Sequence, residues 1–429
     1  MGPVSGLTQV VCPHGTHADL MRSAYFSGNA LGPQHYVESP FQVIWSLGLL
    51  LLMAFIGQQA ARSARLPGIV GWLVAGLILG PSGLQLVDTA SSPAWKLLYN
   101  LAAVWVGFQV GLTTPSSRQG GRLPLLLGFS TLATFVLAVA GAALVGGLSV
   151  WLALLFGALT CLWDPFTVWA NPRGSKTPLV LSSVGCGLSL VLLSAVLTLL
   201  WSQDHLPVEA IYLLGSIWLP LLGGALSAEL LWRIKVFHTF GDTFLAVIWG
   251  TFFLAGLVLA HLHWLALPFG WSAGLVLALH KDQVRPVQQA LQPTRPIAPM
   301  VLFAFLGATI DIGPLLSATA VSGQILLATT VALALVRGLG PAIWYPLTLG
   351  DRSWHRRLGW LLMPGGALFF ELLFEPVRGL SNLIGPQQLD LFRQVVLGQI
   401  LVHGLFFPAL AVFMWTFPVA ILRRTPPEG

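Results

Sequence analysis

The sequence predicts an all-α polytopic membrane protein. Of its 429 residues, 55% are hydrophobic and only 8% are charged, whereas soluble domains carry roughly 25% charged residues. The apolar residues run in long continuous segments rather than in alternation, which favours helices over the strands of a membrane barrel. We therefore expect a bundle of about thirteen transmembrane helices.

The individual spans follow from the apolar segments, because about 20 residues are needed to cross a bilayer as a helix. The segments lie at 41–60, 66–86, 94–112, 123–148, 150–170, 178–201, 209–231, 242–262, 265–280, 297–313, 315–348, 356–376 and 390–421. Those at 66–86, 265–280 and 297–313 are expected to be short or interrupted.

The basic residues orient the bundle, because Lys and Arg accumulate in cytoplasmic loops. The Lys and Arg residues that fall outside the cytoplasmic loops are Arg22, Lys96, Arg378, Arg393 and the intrahelical Arg337. This asymmetry places the N-terminus outside and the C-terminus in the cytoplasm. Residues 1–40 are interpreted as a disordered extension, 41–422 as the transmembrane domain and 423–429 as a short tail.

Several function classes are disfavoured. Cys12, Cys161 and Cys186 have neither disulfide nor metal-ligand spacing, and no catalytic triad or nucleotide motif lies at a common membrane depth. We therefore expect no enzyme, no cofactor and no bound metal. The net charge of +6 reflects topology rather than a nucleic-acid partner. His403, inside the last segment, is interpreted as satisfied by packing.

The chemistry is expected to centre on residues 156–170 (FGALTCLWDPFTVWA), where Asp164 directly precedes Pro165. A carboxylate in the bilayer core is costly, and proline removes a helix hydrogen bond. Together they indicate a broken helix with an ionisable group at the break, an arrangement typical of transporter ion sites. Thr160 would lie one turn before Asp164 on the same face. The alternative is a kinked helix whose Asp is neutral or satisfied by a neighbour.

Five stretches give the chain a family resemblance. They are 65–84 (RLPGIVGWLVAGLILGPSGL), 108–112 (FQVGL), 271–280 (WSAGLVLALH), 300–312 (MVLFAFLGATIDI) and 363–366 (MPGG). In this order they resemble the monovalent cation:proton antiporter superfamily. The most similar branch is that of the bacterial sodium/proton antiporters and potassium efflux antiporters.

The resemblance implies a fold of two inverted repeats, with a dimerisation domain and a core domain in which two broken helices cross. The second break would contain Pro364, Gly365 and Gly366. Half-helix ends at such breaks can hold a cation. The resemblance also implies a homodimer that spans a bacterial-type inner membrane many times.

The sequence departs from the family at the helix after the first break, which holds no acidic residue over 178–201. Asp164 is therefore the candidate titrating cation site, with Arg337 as its counter-ion and Glu371 as a second acidic candidate. Thr160 and Ser189 are candidate hydroxyl ligands. A static buried salt bridge between Asp164 and Arg337 is the alternative interpretation.

Two functions remain open at this point. The first is a secondary transporter that exchanges a monovalent cation, Na⁺ or K⁺, for H⁺ by alternating access across the lipid bilayer. The second is a divergent family member that carries another solute, or a transport-deficient sensor or scaffold. The neutral helix at 178–201 is the main argument for the second.

Overall fold

The described part of the molecule consists of helices joined by turns and short irregular stretches. The computed structural model describes residues 40–87, 93–114, 122–163, 165–166, 176–202, 207–234, 244–280, 287–313, 320–333, 336 and 386–406. No strand occurs among these residues, so the all-α prediction is confirmed for them. The chain divides into residues 1–42, of which only the start of the first helix is described, and a compact unit formed by residues 43–429.

The helices follow the predicted segments closely. In chain order they are α1 (Pro40–Ser63), α2 (Gly68–Leu79), α3 (Pro93–Thr113), α4 (Arg122–Ala140), α5 (Val150–Thr160), α6 (Lys176–Ser202), α7 (Pro207–Arg233), α8 (Phe244–Leu262), α9 (Ala266–Leu279), α10 (Ile297–Thr309), α11 (Ala320–Leu333) and α12 (Pro386–Leu401). Helices α4 and α12 continue into π-helical turns, Gly141–Val145 and Val402–Phe406.

Five of these helices contain stretches that are long and apolar enough to cross a membrane: Val43–Ser63, Leu127–Val145, Ser182–Leu199, Leu214–Arg233 and Leu245–Leu262. The three segments expected to be short form α2, α9 and α10, with 12, 14 and 13 residues.

Three predictions about the chain ends and the helix count concern residues outside the described part. The twelfth predicted segment, 356–376, the extension before residue 40 and the tail 423–429 all lie there. The last helix begins at Pro386, four residues before the predicted start at 390. Proline is well suited to the first helical position, because that position needs no N–H donor.

The helices separate into two packing groups. We define the first packing group as α2, α3, α7, α8, α9 and α10, and the second packing group as α4, α5, α6, α11 and α12. The two groups meet where α6 contacts α7 and where the π turn after α12 contacts α2. At a third point the hydroxyls of Thr114, after α3, and Ser183, on α6, lie 3.3 Å apart.

Helices α2 and α10 approach closely because glycine and alanine line their contact. A methyl group built on Gly76 would lie 2.7 Å from the backbone nitrogen of Ala308. At the end of α2, the Ser82 hydroxyl donates to the Ile310 carbonyl at 2.7 Å and accepts from the Ile312 N–H at 2.8 Å. The stretches 65–84 and 300–312, which carried the family resemblance, thus form one tightly packed pair.

Helices α3 and α9 form a second close pair of the same kind. A methyl group on Gly111 would lie 2.7 Å from Leu275 N, and one on Gly274 would lie 2.8 Å from Leu112 N. These helices carry the stretches 108–112 and 271–280. Small residues let membrane helices gain van der Waals contact that lipid cannot supply, so these family stretches are packing elements of the first packing group.

The second packing group surrounds the predicted helix break. Phe156 on α5 packs edge-on against Phe392 on α12, with ring centroids 6.5 Å apart. Trp163 and Phe166, which flank the break, are each only 1% exposed. The break therefore lies inside the protein rather than at its lipid-facing surface.

Candidate functional site

Helix α5 ends at Thr160, five residues before Pro165. Cys161 forms a turn, and Leu162 and Trp163 are not helical, whereas Pro165 and Phe166 are helical again. Asp164 lies outside the described residues. Because proline is incompatible with the helical turn that precedes it, the irregular stretch falls on the N-terminal side of Pro165.

The break frees one particular carbonyl. In a continuous α-helix the N–H of residue 165 would donate to the carbonyl of Cys161, but proline has no N–H. The hydroxyl of Ser189 on α6 takes this place and donates to Cys161 O at 3.0 Å. Ser189, a predicted site residue, is thus fully buried directly beside the break.

Ser189 still has acceptor capacity. Its second described hydrogen bond donates to Gly185 O at 2.7 Å. Both bonds use the single hydroxyl proton, and a serine oxygen also has two lone pairs. The oxygen of Ser189 can therefore accept a hydrogen bond or coordinate a cation while it satisfies the freed carbonyl.

Thr160 carries a buried hydroxyl that has no hydrogen-bond partner among the described residues. The side chain is 1% exposed. Thr134 on α4 differs, because its hydroxyl donates to Ser130 O within its own helix. Buried polar groups without partners are rare, and this hydroxyl stands at the C-terminal end of α5, where the helix dipole attracts cations.

Thr160 is the last residue of α5. The helix ends there because Pro165 disturbs the turn that precedes it. Asp164 lies outside the described residues, so the prediction that Thr160 and Asp164 share a face stays a prediction.

Trp163 is anchored between two neighbouring helices. Its indole N–H donates to the Thr131 hydroxyl on α4 at 2.9 Å. Its ring lies over Gly185 on α6, where an added methyl group would come within 2.5 Å of the indole. The ring therefore fixes the path of the irregular stretch that leads to Asp164.

The structure brings together only part of the predicted site. Ser189 donates to the Cys161 carbonyl, and Thr160 and Pro165 lie one residue before and four residues after Cys161 in the chain. The other predicted site residues, which lie outside the described part of the chain, are Asp164, Arg337, Pro364, Gly365, Gly366 and Glu371.

Sequence reasoning missed the Cys161 carbonyl and the Thr131 partner of Trp163. The Cys161 carbonyl could have been found from its position four residues before Pro165, because proline has no N–H to donate to it. No sequence signal pointed to the contact between Trp163 and Thr131.

The described side chains that the structure places beside the break are neutral. They are Thr131, which accepts from the Trp163 indole, Ser189, which donates to the Cys161 carbonyl, and Thr160 and Cys161 at the end of α5, all of them buried. Buried oxygen donors beside half-helix ends are typical of the substrate sites of membrane transporters. The bundle of apolar helices and this buried site together indicate a membrane transporter.

Comparison with known proteins gives the family. A sequence profile described as the transmembrane sodium/hydrogen exchanger matches residues 48–413. The chain belongs to the sodium/hydrogen exchanger family. Family and fold are those of a membrane transporter and not of an enzyme. Curated protein sequences give no significant match.

Two solved structures show the same fold. One is the sodium proton antiporter MjNhaP1 from Methanocaldococcus jannaschii at pH 8, with 19% identity and a TM-score of 0.59, over 87% of this chain and 96% of that chain. The other comes from an electron-microscopy map of MjNhaP1, with 19% identity and a TM-score of 0.63, over 88% and 95%.

Proposed function

We propose that this protein exchanges Na⁺ or K⁺ for H⁺ across the membrane. The observation that carries the proposal is the buried hydroxyl of Thr160, which has no hydrogen-bond partner among the described residues and stands at the end of a half-helix. Ser189 supplies a second buried oxygen, which donates to the carbonyl of Cys161, the residue after Thr160. Membership of the sodium/hydrogen exchanger family and the fold shared with a sodium proton antiporter support the same function.

Asp164 is the proposed titrating group of this site. It precedes Pro165 in the sequence, and we propose that its carboxylate and the Thr160 and Ser189 oxygens bind the same cation. A carboxylate can hold either a proton or a cation, which makes the two substrates compete. We assign Arg337 as its counter-ion and Glu371 as a second acid.

Transport would proceed by alternating access, with the second packing group moving against the first. The groups meet at α6 with α7, at the π turn with α2 and at Thr114 with Ser183, so such a motion would have to rearrange these contacts. The full proposal includes thirteen helices in two inverted repeats and a homodimer in a bacterial-type inner membrane, with the N-terminus outside.

Proton flux in proteoliposomes tests the proposal directly. Purified protein is reconstituted with a pH-sensitive dye inside, and pulses of Na⁺, K⁺ or Li⁺ are added outside. We expect a response that saturates with Na⁺ or K⁺ and disappears in Asp164→Asn. If Asp164→Asn retains coupled exchange, the assignment of Asp164 is wrong.

Thr160→Val tests the hydroxyl site in the same assay. Valine keeps the shape of threonine but has no oxygen to bind a cation. We expect the half-saturating cation concentration to rise about tenfold, because a hydrogen bond to a charged group contributes roughly 1.5 kcal/mol. Stability should hardly change, since the lost hydroxyl has no described partner.

Thr134→Val is the matched control for Thr160→Val. Thr134 is equally buried, but its hydroxyl is bonded within its own helix. We expect Thr134→Val to leave the half-saturating concentration unchanged. Equal concentrations in the two variants would rule out Thr160 as a cation ligand.

One observation favours a second function. The described part of α6, which faces the break, contains no acidic side chain, although the family resemblance places one there. A divergent member that carries another solute, or that senses without transport, would fit this neutral helix. Folded protein that gives no proton flux with any cation between pH 6 and 9 would favour this alternative.

A further inference from the structure

The irregular stretch after α5, residues 161–163, is held by two neighbouring helices. Ser189 on α6 donates to Cys161 O at 3.0 Å, at the start of the stretch. At its end, the Trp163 indole N–H donates to the Thr131 hydroxyl on α4 at 2.9 Å. Helices α4, α5 and α6 contact one another in all three pairs. The stretch therefore lies where three helices of the second packing group meet.

The hydrogen bond between Trp163 and Thr131 joins two buried groups. Trp163 is 1% exposed and Thr131 is 2% exposed. A buried donor or acceptor that loses its partner keeps the full cost of its desolvation. The bond therefore favours the one position of the indole in which its N–H reaches the Thr131 oxygen.

Helix α6 limits the position of the same indole ring. A methyl group on Gly185 would lie 2.5 Å from Cδ2 and 2.6 Å from Cγ of Trp163, so the ring packs directly against the helix at this glycine. An indole is rigid and has only two side-chain torsions. Because both its N–H and its distance from α6 are set, the backbone of Trp163 is set as well.

The next residue in the chain is Asp164, the proposed titrating group. Consecutive Cα atoms are about 3.8 Å apart, so a displacement of the Trp163 backbone is passed on to Asp164. Two residues later, Phe166 is also buried. In catalytic sites a displacement of about 1 Å can lower activity about 100-fold, and a cation site depends on the placement of its ligands in the same way.

We infer that Trp163 is a positioning residue of the cation site and that Thr131 holds it, an inference that rests on the proposed function. With the indole bonded to Thr131, the irregular stretch keeps the arrangement that binds the cation. Without this bond the arrangement is populated for only part of the time, and the apparent affinity falls by that fraction. Cation at saturating concentration restores the arrangement, so the maximal rate of exchange is kept.

Two single variants and their combination test the bond in the proteoliposome assay. Thr131→Val removes the acceptor, and Trp163→Phe removes the N–H but keeps an aromatic ring. We expect each to raise the half-saturating cation concentration about fivefold, the usual net effect of one hydrogen bond on an equilibrium. The double variant should show no larger effect than the single ones, because both act through one bond.

A conservative variant and a neighbouring threonine serve as controls. Thr131→Ser keeps the acceptor oxygen and should rescue the loss seen in Thr131→Val. Thr134→Val removes a hydroxyl that bonds within α4 and should leave the half-saturating concentration unchanged.

The kinetic constant that changes separates positioning from a merely structural role. A residue that only supports folding would lower the maximal rate, since unfolded copies carry nothing, and would leave the half-saturating concentration as in the wild type. An unchanged half-saturating concentration in Thr131→Val would therefore overturn the inference, even if Trp163→Phe fails to fold.

A labelling assay separates this inference from the proposed function. Cys161 lies in the irregular stretch and is buried, so it reacts with N-ethylmaleimide only when the stretch opens. In full-length protein carrying Cys12→Ser and Cys186→Ser, Cys161 is the one cysteine left in the sequence. We expect Na⁺ or K⁺ to slow its labelling.

The cation concentration that gives half protection of Cys161 is the decisive quantity. We expect Thr131→Val to raise this concentration about fivefold, whether or not the protein transports. Equal concentrations with and without Thr131→Val would refute the inference, and so would labelling that no cation slows. Wild-type protein that is protected by a cation but gives no proton flux would refute only the proposed exchange.

Discussion

Gly76→Ala should weaken the contact between α2 and α10. The added methyl group would lie 2.7 Å from Ala308 N, whereas ordinary van der Waals contact begins at 3.4 Å. The atoms in the way belong to the backbone of α10, at Ala304 and Ala308, and cannot rotate aside as a side chain would. The two helices must therefore separate along their closest approach.

The expected cost follows from overpacking. Extra methyl groups in well-packed interiors typically destabilise by about 1–3 kcal/mol. Alanine also has a better helix propensity than glycine, by up to about 1 kcal/mol, which offsets part of this loss. We therefore expect a net destabilisation of about 1–2 kcal/mol, seen as a fall of a few degrees in the unfolding temperature.

Gly250→Ala on α8 is the matched control for this measurement. A methyl group on Gly250 meets nothing within 4 Å, so this variant shows the helix-propensity effect alone. Both variants are compared with wild type by thermal unfolding in the same detergent at one scan rate, because such transitions depend on scan rate. If Gly76→Ala unfolds at the same temperature as Gly250→Ala, the close approach of α2 and α10 is refuted.

Two further variants probe polar contacts at helix ends in the same unfolding assay. Ser82→Ala removes the hydroxyl that joins the end of α2 to Ile310 and Ile312. We expect the free energy of unfolding to fall by about 1–2 kcal/mol for the two lost hydrogen bonds. Unchanged stability would show that water replaces these bonds. Glu229→Gln removes a carboxylate that accepts from Arg233 at 2.9 Å, and we expect a smaller effect than that of Ser82→Ala because exposed ion pairs contribute little. A larger effect would mean that Glu229 holds α7 against its neighbours more strongly than its exposure indicates.

The helical class and the position of the break were predictable because each depends on local chemistry. A chain with so few charges must satisfy its backbone within helices, and proline must disturb the turn that precedes it. The prediction placed the break at Asp164 and Pro165, and the described helix ends at Thr160. The sequence did not show that Ser189 would donate to the carbonyl freed at Cys161.

The candidate site was predictable only in part. Ser189 was chosen as a hydroxyl near the expected cation site, but its bond to Cys161 O depends on the rotation of α6 about its own axis. Hydrophobic periodicity could not supply that rotation, because α6 is apolar on nearly all sides. The contact between Trp163 and Thr131 was equally unpredictable, because only helix packing brings α4 next to the break.

His403 shows the difference between the two levels most clearly. The sequence by itself determined a histidine in the last apolar segment, the loss of the usual acid from the helix after the break, and the membrane class. Only the tertiary structure decided that Gln399 is hydrogen-bonded to both this histidine and Thr329 on α11 and that the π turn of the histidine contacts α2. The physical reason is that a helix sequence specifies which residues share a face, whereas the neighbours of that face depend on the packing of other helices.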